Sequence, residues 1–354
     1  MEKFDLRSAS LQEICAFMEN IGEKRFRGEQ VFEWINEKFV DDIDEMTNLS
    51  QALRAKVAQH GYISQVDIAH VQTSDDGSTK KFLLKMQNCG IIENGQGIVF
   101  VEAVLMEYRH GLSLCISSQA GCRMGCDFCA TGTSGLLRNL TAGEIAAQLY
   151  KISKAQGRRI SNIVLMGMGE PLDNYDNVIK FIHMVNHPKG INLGQRHITL
   201  STSGLVNKIY KLAGENLQIN LAVSLHVPND QIRRRIMPIA RKYSIDELLD
   251  ACKEYSKNGR RITFEYIMLD GVNDSKSNAV ELCKRVKGIN CHVNLIPANE
   301  VPEKGYKKSK PQKIMEFRQI LEASGVLVTQ RRELGSDISA ACGQLRNEQN
   351  KYQT

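Results

Sequence analysis

Proline and tryptophan are scarce in this chain of 354 residues, at 7 and 1, and aromatic residues make up only 6%. So little proline argues against a Pro-rich linker or a disordered tail, and the 42% of hydrophobic residues supports an ordinary globular protein. No apolar run approaches the roughly 20 residues that a membrane-spanning helix needs. The opening MEKFDLRSAS has no apolar signal core, so a cytoplasmic protein with no membrane partner is expected. Neither sign of charge dominates: 46 Lys and Arg stand against 40 Asp and Glu, a net +6 that a polyanionic partner would tolerate but that does not identify one. Cysteine, at ten residues, is too thin for a disulfide scaffold. A chain of this length buries about three quarters of its unfolded surface, so it needs no metal as a staple. Any metal is there for chemistry.

The pattern along the chain divides it into four parts. Residues 1–61 read as a small helical domain: Ser10-Leu-Gln-Glu13 is a capping box ahead of Leu11, Ile14, Cys15 and Met18, a second helix carries Val31, Phe32, Trp34 and Ile35, and a third begins near Ser50. Residues 62–110 alternate like short antiparallel strands, with turn signals at Asp75-Asp76-Gly77 and Glu93-Asn94-Gly95. Residues 111–300 repeat strand then helix. Strands are expected at Leu114–Ser118, Ile163–Met166, Ile198–Ser201, Asn220–Ser224, Ile262–Met268 and His292–Ile296, and capping boxes at Thr141-Ala-Gly-Glu144 and Ser244-Ile-Asp-Glu247 open two of the helices. Residues 301–354 form a C-terminal segment. The fold class expected is α/β, a partial (β/α)6 barrel with its chemistry at the C-terminal strand ends.

Four cysteines fall within 15 residues: Cys115, Cys122, Cys126 and Cys129. The run Cys122-Arg-Met-Gly-Cys126-Asp-Phe-Cys129 follows the first strand of the repeat. Zinc competes for such a cluster, but structural zinc takes four ligands, commonly from two separated Cys-x-x-Cys pairs, and there is no second pair here. Three thiolates suit a [4Fe–4S] cluster with one iron left open to a cofactor.

At these residues, with the aromatic Phe128 before the third cysteine, the sequence resembles the radical S-adenosylmethionine superfamily. Further motifs narrow the resemblance to the RlmN/Cfr family of RNA adenosine methyltransferases: Cys115-Ile-Ser-Ser-Gln-Ala-Gly-Cys122, Gly167-Met-Gly-Glu-Pro-Leu172, Leu200-Ser-Thr-Ser-Gly204, Ser224-Leu-His226, His292-Val-Asn-Leu-Ile-Pro297 and Asp337-Ile-Ser-Ala-Ala-Cys-Gly-Gln-Leu345. The likeness covers nearly the whole chain. It implies that Cys122, Cys126 and Cys129 hold the cluster, and that S-adenosylmethionine is bound by Gly169, Glu170, Ser201, Ser224, Leu225, His226 and Asn299. Two molecules of it would be used per turnover. Adenine C2 is electron-poor and no nucleophile toward a sulfonium methyl, so the resemblance implies a detour: Cys342 is methylated first, and the S-methyl, after losing hydrogen to a 5′-deoxyadenosyl radical, adds to the base. Cys115 would resolve the adduct through a transient disulfide with Cys342, and Glu102 would be the proton acceptor. The other five cysteines, Cys15, Cys89, Cys252, Cys283 and Cys291, read as packed hydrophobes.

The partners so implied are 23S ribosomal RNA, transfer RNA and an external flavodoxin-like one-electron reductant, with the chain itself a monomer. Basic stretches that could meet phosphates are Lys24 to Arg27, Ile232 to Lys242 (Arg233, Arg234, Arg235, Arg241) and Gly305 to Lys313. Gly169-Glu-Pro-Leu172 with Asp173-Asn-Tyr175, and Arg331-Arg332-Glu333, look more like the C2-methylating subfamily than the C8-methylating resistance enzymes. A non-catalytic iron–sulfur RNA-binding protein is the alternative of another class, and it predicts missing catalytic residues, whereas Cys115 and Cys342 are both present.

Overall fold

A computed structural model describes residues 3–86, 98–133, 135–257, 259–299, 305–332, 334–340 and 343–345. The first helices form as their caps dictate. Strand β1 (Phe4–Asp5) leads to α1 (Leu11–Asn20), where Ser10 and Glu13 make the reciprocal capping box. Then come α2 (Phe26–Asn36), α3 (Gln51–His60), capped by the Ser50 side chain, and β2 (Gly61–Tyr62), parallel to β1. Ile14, Phe17, Val31, Phe32, Ile35 and Val57 close a core of their own, each fully buried side chain contributing about 1.5–3 kcal/mol. Arg7 is buried in this unit and donates to the carbonyls of Ser64 and Val40 at 2.6 and 2.7 Å.

Strands β3 (Val66–Thr73), β4 (Thr79–Met86) and β5 (Val99–Tyr108) pair antiparallel, and β5 pairs the same way with β6 (Gly111–Cys115). The turn at Asp76-Gly77 forms, while Glu93-Asn94-Gly95 lies outside the described residues. The antiparallel strands expected ahead of the repeat form, and they are continuous with the main sheet. Through β6 they extend the main sheet.

After β6 the chain makes a short hairpin, β7 (Gln119–Gly121) with β8 (Leu136–Asn139), and then the repeat: α4 (Ala142–Gln156), β9 (Ile160–Leu165), α5 (Tyr175–Asn186), β10 (Ile198–Thr202), α6 (Val206–Gly214), β11 (Asn220–Ser224), α7 (Asp230–Ile236), α8 (Ile245–Ser256), β12 (Ile262–Met268), α9 (Lys276–Val286), β13 (Cys291–Pro297), α10 (Pro311–Ala323) and β14 (Val328–Gln330). The ten-stranded sheet runs β14-β13-β12-β11-β10-β9-β6-β5-β4-β3, with every neighbour from β6 to β14 parallel. Sequential order is the signature of (β/α) barrel winding opened at one seam; a doubly wound sheet would reverse direction. Both predicted capping boxes in the repeat, at Thr141 and Ser244, are formed.

Two differences have local causes. The first strand begins and ends earlier than expected, at Gly111–Cys115, because the Ser117 N–H donates to Gln148 Oε1 (2.9 Å) and its carbonyl accepts from Gln148 Nε2 (2.8 Å), turning the chain off the ladder. The seventh parallel strand, β14, is three residues long and largely exposed, and lacks an apolar run to betray it.

Candidate functional site: a cysteine loop facing the strand ends

The β7–β8 hairpin fixes the base of the cysteine loop. Gln119 pairs with Asn139 and Ala120 with Arg138, and the Cys122 N–H donates to Gly135 O at 2.8 Å. Gly121 needs to be glycine here: its φ is +79° and a Cβ would stand 2.0 Å from Gly135 O. The far side of the loop docks on the end of α7, where the Asp127 N–H donates to Ile236 O at 2.8 Å, and on the C-terminal segment, where the Ala130 N–H donates to Gly343 O at 2.7 Å and Thr131 Oγ1 donates to Leu345 O at 2.8 Å.

Cys122, Cys126 and Cys129 line one cleft of about 870 Å³, counting its open mouth, with Phe128 and Gly343 beside them. Burial pushes the Cys122 thiol up to about 12; burial first, then the neighbouring Cys129 and Cys122, raises that of Cys126. The mutual repulsion of the thiolates marks their closeness, and the positive charge of bound iron would offset it and hold the sulfurs as thiolates. Among the described residues no three His, Cys, Asp or Glu side chains converge as ligands of a single ion. Three neighbouring cysteines on one loop fit a cluster held by one thiolate on each of three irons.

The opposite wall comes from the strand ends. Gly169, Glu170, Ser201, Ser224 and His226 all line the cleft. Leu225 is fully buried behind it, and Asn299 follows β13 by two residues without lining it. Gly169 has φ +103°, and a Cβ there would meet Gln119 Cβ at 2.6 Å, so only glycine lets this loop lie against the β7 backbone. Glu170 is buried; its Oε2 accepts from the Ser203 N–H at 2.6 Å and its Oε1 from the Leu172 N–H at 3.1 Å. Burial raises its pKa and the Ser203 amide works against this. His226 takes φ +60°, and its Nδ1 accepts from the Ile267 N–H at 3.1 Å, which leaves Nε2 as the protonated nitrogen. Burial and then Arg233 lower its pKa to about 3, so the ring is a neutral donor, packed edge-on against Phe128 at 4.9 Å.

Glu265 and Arg331 also line the cleft and were not singled out from the sequence as site residues. Glu265 Oε2 accepts from Asn294 Nδ2 at 2.8 Å, and burial raises its pKa against the pull of Arg331. The signal was there: Glu265 is the one charged residue inside the apolar run Ile262–Met268.

Glu102 and Cys115 do not line the cleft but share one face of the sheet beside it. Cys115 is directly opposite Val104 in the β5–β6 ladder, Val104 is directly opposite Lys81, and Glu102 lies two residues before Val104, so all four side chains point one way. Lys81 Nζ is 3.5 Å from Glu102 Oε1 and donates at 3.5 Å to the carbonyl of Ser339. Glu102 is thus a buried carboxylate with a buried ammonium beside it, not an exposed strand charge. Removing one partner of such a pair leaves a desolvated charge. Lys81→Met is expected to lower unfolding stability by about 3 kcal/mol in urea titration, and Lys81→Met/Glu102→Gln to regain most of it. Equal losses in the two variants would show the pair to be uncoupled.

Cys342 lies outside the described residues, as does Cys89. The flanks of Cys342 are both held: the Ala340 N–H donates to Gly335 O at 2.8 Å, and Gly343 rests on the cysteine loop. No disulfide joins cysteines among the described residues; Cys15 and Cys252 are buried and Cys283 and Cys291 half-buried, as packing residues would be. Two basic stretches require correction. Arg233 is fully buried and cannot meet a phosphate, because the α7 face that carries it turns inward beneath the strand ends; Lys313 is held by Asp270 and Asp274 at 2.9 and 3.0 Å.

The fold and this site define a radical S-adenosylmethionine protein, and residues 116–283 match the model of the radical SAM superfamily. Residues 4–63 match the model described as ribosomal RNA large subunit methyltransferase N-terminal domain. A probable dual-specificity RNA methyltransferase RlmN of Alkaliphilus oremlandii is 52% identical over 347 residues, 98% of either chain, and its namesake in Clostridium novyi is 50% identical over 338 residues, 95% of this chain and 96% of that one. The crystal structure of a radical SAM methyltransferase from Sphaerobacter thermophilus superposes with a TM-score of 0.90 at 43% identity, covering 98% of this chain and all of that one. The chain belongs to the RlmN family of radical SAM RNA methyltransferases. With that membership come a [4Fe–4S] cluster and S-adenosylmethionine as cofactors. Among the described residues no helix is long and apolar enough to cross a membrane.

Proposed function

We propose that this enzyme methylates C2 of one adenosine in the peptidyl-transferase centre of 23S ribosomal RNA, and of the adenosine 3′ of the anticodon in some transfer RNAs, using Cys342 as methyl carrier. One observation carries the reading: the cysteine loop, the strand-end residues Glu170, Ser201 and Ser224, and Gly343, one peptide bond from Cys342, line a single cleft. Cys122, Cys126 and Cys129 hold the cluster. When bound, the cofactors supply a methyl group to a thiolate and, after one-electron reduction, a 5′-deoxyadenosyl radical that removes a hydrogen atom.

The chain's residues do the rest. Glu170 accepts from the methionine ammonium with lone pairs left over from its two backbone amides. Neutral His226 offers Nε2–H, while Ser201, Ser224, Leu225 and Asn299 complete the binding wall with Gly169. The Cys342 thiolate forms the new S–C bond as the sulfonium S–C bond breaks. Its S-methyl carbon, one hydrogen short, bonds to adenine C2 and ties enzyme to RNA, and the unpaired electron this leaves on the ring would return to the oxidised cluster. Glu102 takes the C2 proton, held in place by Lys81. Cys115, on the same face, attacks the Cys342 sulfur as a thiolate: the S–S bond forms as the C–S bond breaks, the electron pair of that bond passes to the methylene carbon through the adenine ring, one proton is taken up there to complete the methyl group, and methylated RNA leaves.

The divisions at residues 61, 110 and 300 separate an RNA-contacting helical unit, an extension carrying Glu102, the radical core and the methyl-bearing segment. Lys24, Arg25 and Arg27 of the first unit would meet phosphates. A flavodoxin-like reductant, a monomeric chain and a cytoplasmic location complete the proposal. Digesting reacted 23S RNA to nucleosides tests its chemistry: 2-methyladenosine is expected by mass spectrometry against standards. 8-Methyladenosine would move the enzyme to the resistance type, and unmodified RNA beside a loaded, reduced cluster would favour a non-catalytic binder.

A further inference from the structure

Arg233 is a buried cation with no carboxylate in contact with it among the described residues. It lies on α7, a helix whose last residue, Ile236, receives the Asp127 N–H of the cysteine loop at 2.8 Å. Its guanidinium is fully buried. Nε donates to Leu225 O at 3.3 Å, and Nη2 donates to Ser203 O at 2.8 Å and to Ser224 O at 3.2 Å; Nη1 has no partner. Those three carbonyls belong to the β10 and β11 ends, which form one wall of the cleft. Among the described residues no carboxylate lies within ion-pair distance of it, Asp230 one turn earlier acting only from farther off. Ser203 and Ser224, whose carbonyls it holds, line the cleft together with Cys122, Cys126 and Cys129.

Carbonyl dipoles alone are a poor exchange for water around a full charge, and a buried cation without an anion is expensive to keep. Three thiolates and a cluster in the adjoining cleft would supply an anion. Reduction would add one more negative charge across the strand-end wall from the guanidinium, in a medium where opposite charges attract strongly.

We propose that Arg233 is a positioning residue for the iron–sulfur centre: its buried charge compensates the thiolate-bound cluster and raises the cluster's reduction potential, while its donors hold the strand-end carbonyls of the cofactor wall. The inference rests on Cys122, Cys126 and Cys129 holding the cluster. A merely structural arginine would serve only the three carbonyls, and a neutral donor would replace it.

The test compares Arg233→Gln, which keeps N–H donors without charge, with Arg233→Lys, which keeps the charge, on anaerobically reconstituted full-length enzyme. Spectroelectrochemistry reads the cluster directly. At a fixed potential the ratio of reduced to oxidised cluster should fall about tenfold in Arg233→Gln, ~59 mV for one electron, with Arg233→Lys within about threefold of wild type. The rise in melting temperature on loading the cluster should also be smaller in Arg233→Gln than in wild type and Arg233→Lys. Should Arg233→Gln fold by circular dichroism but load no iron while Arg233→Lys loads fully, the charge requirement is met in its strongest form. Should Arg233→Gln not fold, Arg233→Lys decides: a near wild-type potential sustains the proposal, and a tenfold fall despite retained charge overturns it. Equal potentials in all three proteins also overturn it. A wild-type chain that binds no iron would instead defeat the cluster assignment itself.

Discussion

Cys342→Ala is expected to lower RNA methylation to less than about one-thousandth of the wild-type rate, because the methyl group then has no covalent carrier. The two functions around it should separate. Iron content is expected to persist, and so is reductive cleavage of S-adenosylmethionine, now uncoupled and giving 5′-deoxyadenosine with a hydrogen atom taken from the reductant or buffer, because Cys122, Cys126, Cys129 and the strand-end wall remain in place. Gly343 and Ala340 are held by main-chain hydrogen bonds to Ala130 and Gly335, so the substitution should not release the segment. Quantifying methylated adenosine and 5′-deoxyadenosine in one reaction checks both halves. Methylation at the wild-type rate would eliminate Cys342 as carrier, and loss of both products would give it a role in cofactor binding instead.

Cys126→Ala should have an effect as large by a different route. With one of three ligands gone the cluster is expected to be lost or severely depleted, and both radical formation and methylation to fall at least about a thousandfold. The fold should survive. The core of the parallel sheet is continuous apolar packing from β6 to β13, and the loop is anchored by the Asp127, Ala130 and Thr131 hydrogen bonds. Iron analysis beside circular dichroism separates the two: a folded chain without iron is expected, and a chain that retains full iron and activity would exclude Cys126 from the ligand set.

Most of the repeat could be read from the sequence because parallel strands buried on both sides are short apolar runs, and β11 and β12 fall on the predicted residues. The capping boxes at Ser10, Thr141 and Ser244 were legible for the same reason, since their hydrogen bonds are local. Pairing between distant segments was not. Nothing in the alternation of β3–β5 says that β5 will bond to β6, nor that Lys81 will stand across the ladder from Val104 and so beside Glu102. Arg233 misled for a related reason: in Arg233-Arg234-Arg235 the three are alike in composition, and only the helical turn and its packing bury the first. The cysteine loop and the glycine-rich strand ends were visible as spacing, whereas the cleft they line depends on the β7–β8 hairpin, whose four-residue partner strand is too short and too polar to signal itself.

The central claim is that the methyl group reaches RNA by way of Cys342 and loses a hydrogen there. Isotopic labelling tests it most directly. The enzyme, first freed of any methyl already bound to it, is given S-adenosylmethionine with a fully deuterated methyl group and unlabelled RNA for several turnovers, and the methyladenosine is weighed by mass spectrometry. A carrier methyl from which one hydrogen is abstracted must deliver a product methyl with two deuterium atoms and one hydrogen. A product that keeps all three would mean direct transfer of an intact methyl group, and would contradict the account.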